Sequence, residues 1–323
     1  MADAYATSFA VLNYSGMLFN KGNTRTPLSA AIGSRMKTTN HVEFVTGQEF
    51  TVGGGAQPAI SENASLKAPD ATRVTRAQKT NVTQIFQESV AVSYAKQSNM
   101  GTLSGVNIAN QQANPMNELD FQVSAKMQKI ANDIEYTFIN GVYNKATADD
   151  EINKTRGLIN AITTNVWDMS AKAETANKFG VWDIANVLKQ MRSANAPTNG
   201  LALWLDPDAA ILLNKDAAEN KMTIVPASRE INGIWLSSIM TPMGVVYLYV
   251  GEYLPARTAL VLNLDAIAPV EQPVPGKGNF FLEQLAKVGA GEKYQIFGQI
   301  GLDYGPEWYH AKITNIGPAA ATT

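Results

Sequence analysis

The stretch NPMNELDFQVSAKMQKIANDIEYTFINGVYN, residues 114–144, decides the fold because it holds the most regular pattern in the chain. Asn114 can cap a helix, Pro115 suits its first turn, and the acidic residues that follow favour its positive end. Large apolar residues then recur at the three- or four-residue spacing of one helix face: Leu119, Val123, Met127, Ile130, Ile134, Phe138 and Val142. The pattern predicts a spine helix over 115–145, about 40 Å long at roughly 1.5 Å per residue.

The opposite side of this predicted helix is polar. It carries four charged residues, Lys126, Lys129, Asp133 and Glu135. Charges on the side away from the apolar stripe are typical of a face that meets solvent or another protein. We therefore expect all four side chains to lie outside the core.

Upstream of the helix, the chain divides into an arm and a long loop. Residues 1–40 lack strong periodicity and are rich in Ser, Thr, Gly and Asn, which predicts an extended N-terminal arm. Alternation of apolar and polar residues predicts a strand at each end of 41–94. The part between them, about 47–79, has few large apolar side chains and carries Lys67, Arg73, Arg76 and Lys79. We expect it to project from the body, the alternative being a disordered surface loop.

Downstream of the helix, helical and strand patterns mix, so the fold class is α+β. The apolar patterns within 156–256 predict one lobe, with a helix around 184–191 and a buried strand over 201–205. Asp206 and Pro207 have the residue types of a helix cap and first turn. Residues 257–323 are β-rich.

Composition narrows the class of protein. Only 17% of the 323 residues are charged, against roughly 25% in soluble domains, so we expect much of the surface to meet protein. A net charge of −2 argues against tight phosphate binding. The chain has no cysteine, no signal-peptide pattern and no apolar run of the ~18 residues that a membrane span requires.

The sequence offers little for catalysis. His41 and His310 lie far apart, and no phosphate-binding glycine motif is present. Asp206 and Asp208 resemble a metal-binding pair, but helix capping is the more economical interpretation. Trp182, Trp204 and Trp235 lie in apolar contexts and are predicted to be core residues. We predict no catalytic, cofactor-binding or metal-binding site, and no enzymatic activity.

Short motifs identify a resemblance that spans about 42–316. They are TNVTQIFQESV at 80–90, DIE at 133–135, RGL at 156–158 and LAKVG at 285–289, followed by EK at 292–293. Together with the order of arm, loop, spine helix, lobe and β-segment, they resemble the Hong Kong 97 fold of tailed-bacteriophage major capsid proteins. The likeness is strongest to a subfamily typified by an Escherichia phage major capsid protein and formerly treated as a domain of unknown function.

The resemblance implies a Hong Kong 97-like division of the chain. The N-terminal arm would be 1–40, the extended β-hairpin loop 41–94, and the axial domain 156–256. The peripheral domain would combine 95–155, which includes the spine helix, with the β-segment and C-terminus over 257–323.

The resemblance also implies partners. Copies of the chain would form pentamers and hexamers of an icosahedral head, the capsid of a virion made in the bacterial cytoplasm. The head would enclose double-stranded DNA without sequence-specific binding or a membrane. A separate scaffolding protein is expected, since only about forty residues precede the loop. A portal and a decoration protein are further partners that the resemblance implies. Arg73, Arg76 and Lys79 are the candidate inter-subunit contacts.

Two alternatives remain at this point. An encapsulin-like compartment would use the same fold to hold enzyme cargo instead of a genome. A carboxylate-metal hydrolase would use Asp206 and Asp208, although it would need converging ligands that the sequence does not show.

Overall fold

A computed structural model of the chain describes most of it. The described residues are 26–50, 55, 57, 59–68, 70, 73–95, 118–171, 178–198, 200–220, 225–231 and 234–317. The helices are α1 (Pro27–Ile32), α2 (Glu62–Ser65), α3 (Glu118–Asn140), α4 (Leu158–Ala161), α5 (Val181–Ser193) and α6 (Pro207–Glu219). The strands are β1 (Lys37–Thr38), β2 (Glu43–Phe50), β3 (Arg76–Val82), β4 (Gln84–Ser93), β5 (Val166–Asp168), β6 (Leu201–Leu205), β7 (Val225–Ile231), β8 (Ile234–Thr241), β9 (Gly244–Val250), β10 (Ala259–Leu262), β11 (Ala268–Glu271), β12 (Phe281–Gln284), β13 (Gly291–Asp303) and β14 (Ala311–Thr314).

The predicted spine helix is α3, and it lies across a five-stranded sheet. The long strand β13 is the centre of this sheet, with β4 along one edge and β12 and then β11 along the other. Alternate residues of β4, Phe86, Val90 and Val92, are buried, because successive side chains of a strand point to opposite faces. The helix and the sheet therefore form a two-layered peripheral unit.

The buried part of the apolar stripe of α3 is shorter than predicted. Ile130 and Phe138 are buried and Ile134 packs against the same core, but Met127 is 38% exposed and Val142 lies beyond the helix, 67% exposed. The helix ends at Asn140 rather than 145, and its predicted start at 114–117 lies outside the described residues.

Two glycines explain the end of the helix. A side chain at Gly141 or at Gly157 would meet backbone atoms of the other segment within 3.2 Å. The amide of Gly157 donates to the carbonyl of Gly141 at 2.9 Å. The chain thus leaves the spine helix through a backbone crossing that leaves no space for a Cβ atom.

The predicted arm differs most from the structure. Residues 1–25 lie outside the described part, but α1 is a buried helix instead of an extended segment. Pro27 occupies its first turn, and Leu28, Ala31 and Ile32 fall at the i, i+3 and i+4 spacing of one face. All three belong to the core that the spine helix covers. One helical turn is too short for periodicity to stand out in the sequence.

The lobe is built on a second, seven-stranded sheet, whose strands lie in the order β5-β14-β10-β6-β9-β8-β7. The structure differs here from the expectation that 257–323 lies wholly with the spine helix. Strands β10 and β14 pair with the lobe strands β6 and β5. The β-segment is therefore shared between the two sheets.

Strands β6 and β10 separate the two hydrophobic cores. Ala202 and Trp204 point into the core beneath the spine helix, and Leu201, Leu203 and Leu205 point into the core of the lobe. Burial on both faces explains why LALWL is an unbroken apolar run without alternation. None of the described helices is long and apolar enough to cross a lipid bilayer.

Candidate assembly surfaces

The projecting part of the chain is a two-stranded arm made by β2 and β3. Their antiparallel register runs from Glu43 opposite Val82 at the base to Phe50 opposite Arg76 at the far end. Strand β3 leads into β4, which pairs with β13, so of the predicted 41–94 loop only the 43–82 part forms a separate two-stranded sheet. We call this pair of strands and the residues between them the hairpin arm.

Buried hydrogen bonds fix the base of the hairpin arm. Asn81 is completely buried, and its side-chain amide donates to the carbonyls of Leu302 at 2.7 Å and Arg156 at 3.2 Å. Its Oδ1 accepts from the backbone amide of Arg156 at 2.8 Å. One side chain therefore connects the hairpin arm, the start of the lobe and β13. Its partners are 75 and 221 residues away, which no local sequence pattern specifies.

A close backbone contact also holds the base. A Cβ atom at Gly47 would lie 2.8 Å from the carbonyl oxygen of Gly305. Gly47 lies at a register shift of the β2–β3 pair, where the ladder is irregular. The hairpin arm thus leaves the body at a fixed point.

The tip of the hairpin arm is exposed. Every described residue of 55–78 is exposed. Exposed apolar side chains include Ile60 at 71%, Leu66 at 81% and Val74 at 59%. Such a segment has no core of its own, which is typical of a surface that another protein covers.

The three predicted contact residues differ in position. Arg73 and Arg76 are exposed near the far end of the hairpin arm. Lys79 is half-buried, has interactions within the chain, and its carbonyl accepts from the Thr46 hydroxyl at 3.3 Å. Whether any of the three contacts a neighbouring subunit stays a prediction, and Arg73 and Arg76 are the better placed for it.

A groove of about 600 Å³ lies at the base of the hairpin arm. It is lined by residues 145–149 and 151–153 and by His41, Val42, Glu43 and Ile85. Ile85 and Ile152 are 55% and 62% exposed. Lys145 donates a hydrogen bond to Glu43 and lowers the pKa of the Glu43 carboxyl. Hydrogen bonds from Thr147 lower the pKa of Glu151. The groove thus combines exposed apolar side chains with the acids Asp149 and Glu151 and with Lys145, which is paired with Glu43.

Glu135 was predicted to be solvated, but it is completely buried. Its carboxylate accepts from the backbone amides of Leu28 at 2.8 Å and Ser29 at 2.7 Å, and from the Ser29 hydroxyl. Burial raises the pKa of this carboxyl, and the three hydrogen bonds oppose that shift. The side chain satisfies the first amides of α1 and joins the N-terminal segment to the spine helix.

Two more residues of the predicted polar face also act within the subunit. Lys126 donates to Glu88 of β4 at 2.8 Å, and Lys129 donates to the other carboxylate oxygen. These bonds hold the pKa of Glu88 below its ordinary value. The side chains join spine helix to sheet, so this face offers less charge to a neighbour than the sequence suggested.

The two histidines differ in burial. His310 is completely buried; its Nε2 bonds with the Tyr304 carbonyl at 2.7 Å and its Nδ1 accepts from the Asn263 amide at 3.2 Å. Burial lowers the pKa of His310 to about 4, so the ring is neutral at pH 7. His41 is exposed on the rim of the groove.

Other predicted positions need correction. Asp206 does occupy the cap position of α6, but its side chain makes no cap hydrogen bond and instead accepts from the Arg257 amide at 3.1 Å. Among the residues the structure describes, no three or more His, Asp or Glu are grouped to hold a metal ion.

Trp204 is buried as predicted, but Trp182 is 69% exposed, and the Trp235 side chain lies outside the described part.

A long helix across a sheet, a projecting hairpin arm and a separate mixed sheet define the class: the chain has the Hong Kong 97 fold of shell-forming proteins. The holo-SrpI encapsulin complex of Synechococcus elongatus PCC 7942 is similar over 98% of this chain and 94% of its own, with a TM-score of 0.63 and 12% identity. The capsid of Cyanophage A-1(L) is similar over 91% and 93%, with a TM-score of 0.62 and 12% identity.

The Mycobacterium phage Patience structure is similar over 89% of this chain and 82% of its own, with a TM-score of 0.56 and 9% identity. Comparison with curated proteins gives no match. The family model described as SU10 major capsid protein matches residues 2–317, and the chain belongs to this family. It is therefore a structural capsid protein, a part of the virion capsid that assembles with copies of itself.

Proposed function

We propose that the chain forms pentamers and hexamers of an icosahedral phage head that encloses double-stranded DNA. The observation that carries the proposal is the hairpin arm, which extends an exposed, partly apolar tip from a rigidly fixed base. Such a tip gains stability only when another surface covers it. Membership of a major capsid protein family supports a neighbouring copy as that surface.

The proposed role is structural and without catalysis. The net charge of −2 supports a shell that encloses DNA without gripping it, since tight phosphate binding requires concentrated positive charge. A separate scaffolding protein, a portal and a decoration protein are the proposed further partners, and the host cytoplasm is the proposed place of synthesis. The division into peripheral and axial domains is likewise proposed, with β10 and β14 now grouped with the axial sheet.

Arg73 and Arg76 provide the test of inter-subunit contact. Both are exposed, so Arg73→Glu with Arg76→Glu should leave the melting temperature of the unassembled subunit within about 2 °C of wild type. If the guanidinium groups bind carboxylates of a neighbour, particle yield should fall sharply, because like charges across an interface repel. Particle yield can be measured by size-exclusion chromatography with light scattering and by negative-stain microscopy.

Two control variants make this test specific. Arg73→Lys with Arg76→Lys keeps the charge but removes the two-pronged donor, so an intermediate yield would indicate paired hydrogen bonds. Lys189→Glu with Lys215→Glu makes the same charge change at exposed sites of α5 and α6. A normal yield from the glutamate variant of the arginines would show that they are solvated surface charges.

An encapsulin-like compartment is the second candidate, because the Synechococcus encapsulin shares the fold over nearly the whole chain. The family match favours the phage head. The two functions differ in content: heads assembled with the packaging proteins would hold nuclease-protected DNA, whereas a compartment would hold a co-purifying protein cargo.

A further inference from the structure

Residues 27–38, which we call the strap, touch both halves of the subunit. Helix α1 of the strap packs against the spine helix and β11 on the peripheral side and against β8 of the lobe sheet. Its apolar side chains Leu28, Ala31 and Ile32 are buried in the core beneath the spine helix. The docked strap therefore ties the spine helix to the lobe.

The far end of the strap is held mainly by bonds at the surface. Arg35 donates to the Leu264 carbonyl at 2.8 Å and pairs with Asp265. Lys37 pairs with Asp303 at 2.6 Å. The side chains of Asp265 and Lys37 are 73% and 59% exposed, and exposed ion pairs contribute little because water screens them. Docking of the strap therefore depends chiefly on α1.

The near end of the strap is held by a buried carboxylate of the spine helix. Glu135 is completely buried, and its three hydrogen bonds all come from α1. The donors are the Leu28 amide at 2.8 Å, the Ser29 amide at 2.7 Å and the Ser29 hydroxyl. All three donors are neutral, so an ionised Glu135 is a buried charge without a cationic partner among the described residues. Such a site is sensitive to the protonation of the carboxyl.

Other titratable groups lie around α1, but they have different surroundings. Strand β8 contains none. The remaining elements packed against α1, counting two turns of α3 on either side of Glu135, carry these titratable side chains: Arg35, Asp265, Glu271, Lys129, Asp133 and Tyr136. Arg35 pairs with Asp265, and Lys129 pairs with Glu88. The pKa of Glu135 is set by its own burial and by the hydrogen bonds from α1.

Burial and hydrogen bonding act on Glu135 in opposite directions. Burial raises the pKa of this carboxyl, the bonds from Ser29 and Leu28 lower it, and burial is the larger effect. Release of α1 removes these bonds and admits water, which returns the pKa to its ordinary value of 4.5. The docked carboxyl therefore holds its proton at a higher pH than the released one. This stabilisation of docking is fully present below pH 4.5 and is lost as the pH rises through the raised pKa.

We propose that the strap is a proton-dependent switch: Glu135 takes up a proton when α1 docks, so acid tightens the connection between spine helix and lobe and neutral pH loosens it. Near neutral pH, α1 opens more often and uncovers Leu28, Ala31 and Ile32. In acid, α1 stays on the core. This switch lies within one subunit and does not depend on the proposed assembly.

Thiol labelling of the full chain measures opening of the strap. The natural chain has no cysteine, so Ala31→Cys places the only thiol at a position that is 1% exposed. Its rate of reaction with a maleimide is divided by the rate for Ile211→Cys, an exposed position of α6, which cancels the pH dependence of the reaction itself. From about pH 5 to about pH 8 this ratio should rise by about threefold or more. A ratio that stays constant or falls would contradict the proposal.

Three further substitutions in the Ala31→Cys chain assign the effect to Glu135. Glu135→Gln cannot titrate, so its ratio should not change with pH. Asp133→Asn removes a carboxyl of the same helix that is 51% exposed, and it should keep the rise. Ser29→Ala removes a donor that lowers the pKa of Glu135, so its rise should extend to higher pH.

Each outcome decides for or against the switch. A Glu135→Gln chain that keeps the full rise would overturn the proposal. If Glu135→Gln prevents docking and labels fast at every pH, Ser29→Ala decides, and a rise over the same pH range as in the unsubstituted strap would count against Glu135. Particle formation does not enter the measurement, so either failure leaves the proposed function untouched.

Discussion

At the scale of single residues, His310 shows how a polar group is stabilised inside the shell subunit. Both ring nitrogens have backbone partners, and the ring is buried and neutral. An unfolded imidazole binds a proton at an ordinary pKa of 6.5, whereas the folded ring does so only at about 4. The unfolded state therefore takes up the proton first as the pH falls.

This difference predicts the pH dependence of stability. The His310 contribution should be fully present above pH 6.5 and should be lost as the pH falls towards 4, by about 3 kcal/mol in the free energy of unfolding. Urea unfolding of the dissociated subunit at several pH values measures it. His310→Gln, which cannot titrate, should have a flatter profile, and equal slopes in the two proteins would contradict this account.

Residue-scale contacts are also where the sequence was least informative. Asp133, Lys126, Lys129 and Glu135 share one helix side, yet Glu135 is buried against α1 while the two lysines bind Glu88. A charged residue on a polar face carries no local sign of a partner about 100 residues away. Buried carboxylates such as Glu135 depend on amides that only the tertiary structure brings together.

At the scale of elements, periodicity predicted the spine helix, α5 and the buried strand β6 because each repeats a pattern over several turns or residues. It did not predict α1, whose single apolar face lasts one turn, or the exposure of Trp182. Periodicity also could not assign β10 and β14 to the lobe sheet. Both strands are apolar, and the choice of pairing partner depends on the topology of the chain rather than on composition.

The spine helix offers a matched pair of substitutions. Ile130 is 2% exposed in the core and Met127 is 38% exposed one turn earlier. Ile130→Asp buries a carboxylate without a partner and should cost at least about 3 kcal/mol of unfolding free energy. Met127→Asp should cost about 1 kcal/mol or less. The soluble fraction and the urea midpoint measure both, and equal losses would show that the helix is not packed as described.

At the scale of the whole molecule, two cores share the wall formed by β6 and β10, so the lobe and the peripheral unit should unfold together. The hairpin arm stands outside both cores and depends on Asn81 and Gly47 for its direction. A hairpin arm held at its base by a body with two adjoining cores suits repeated contacts among identical copies. The low charge content of the chain agrees with surfaces that meet protein.

The most direct test of the central claim is cryo-electron microscopy of the purified full chain, expressed alone and together with the neighbouring genes of its source. Closed shells built from fivefold and sixfold clusters, with the hairpin arm of each copy lying on its neighbour, are the predicted result. Protein that stays monomeric at high concentration under both conditions, with its fold intact, would contradict the claim that this chain is a shell subunit.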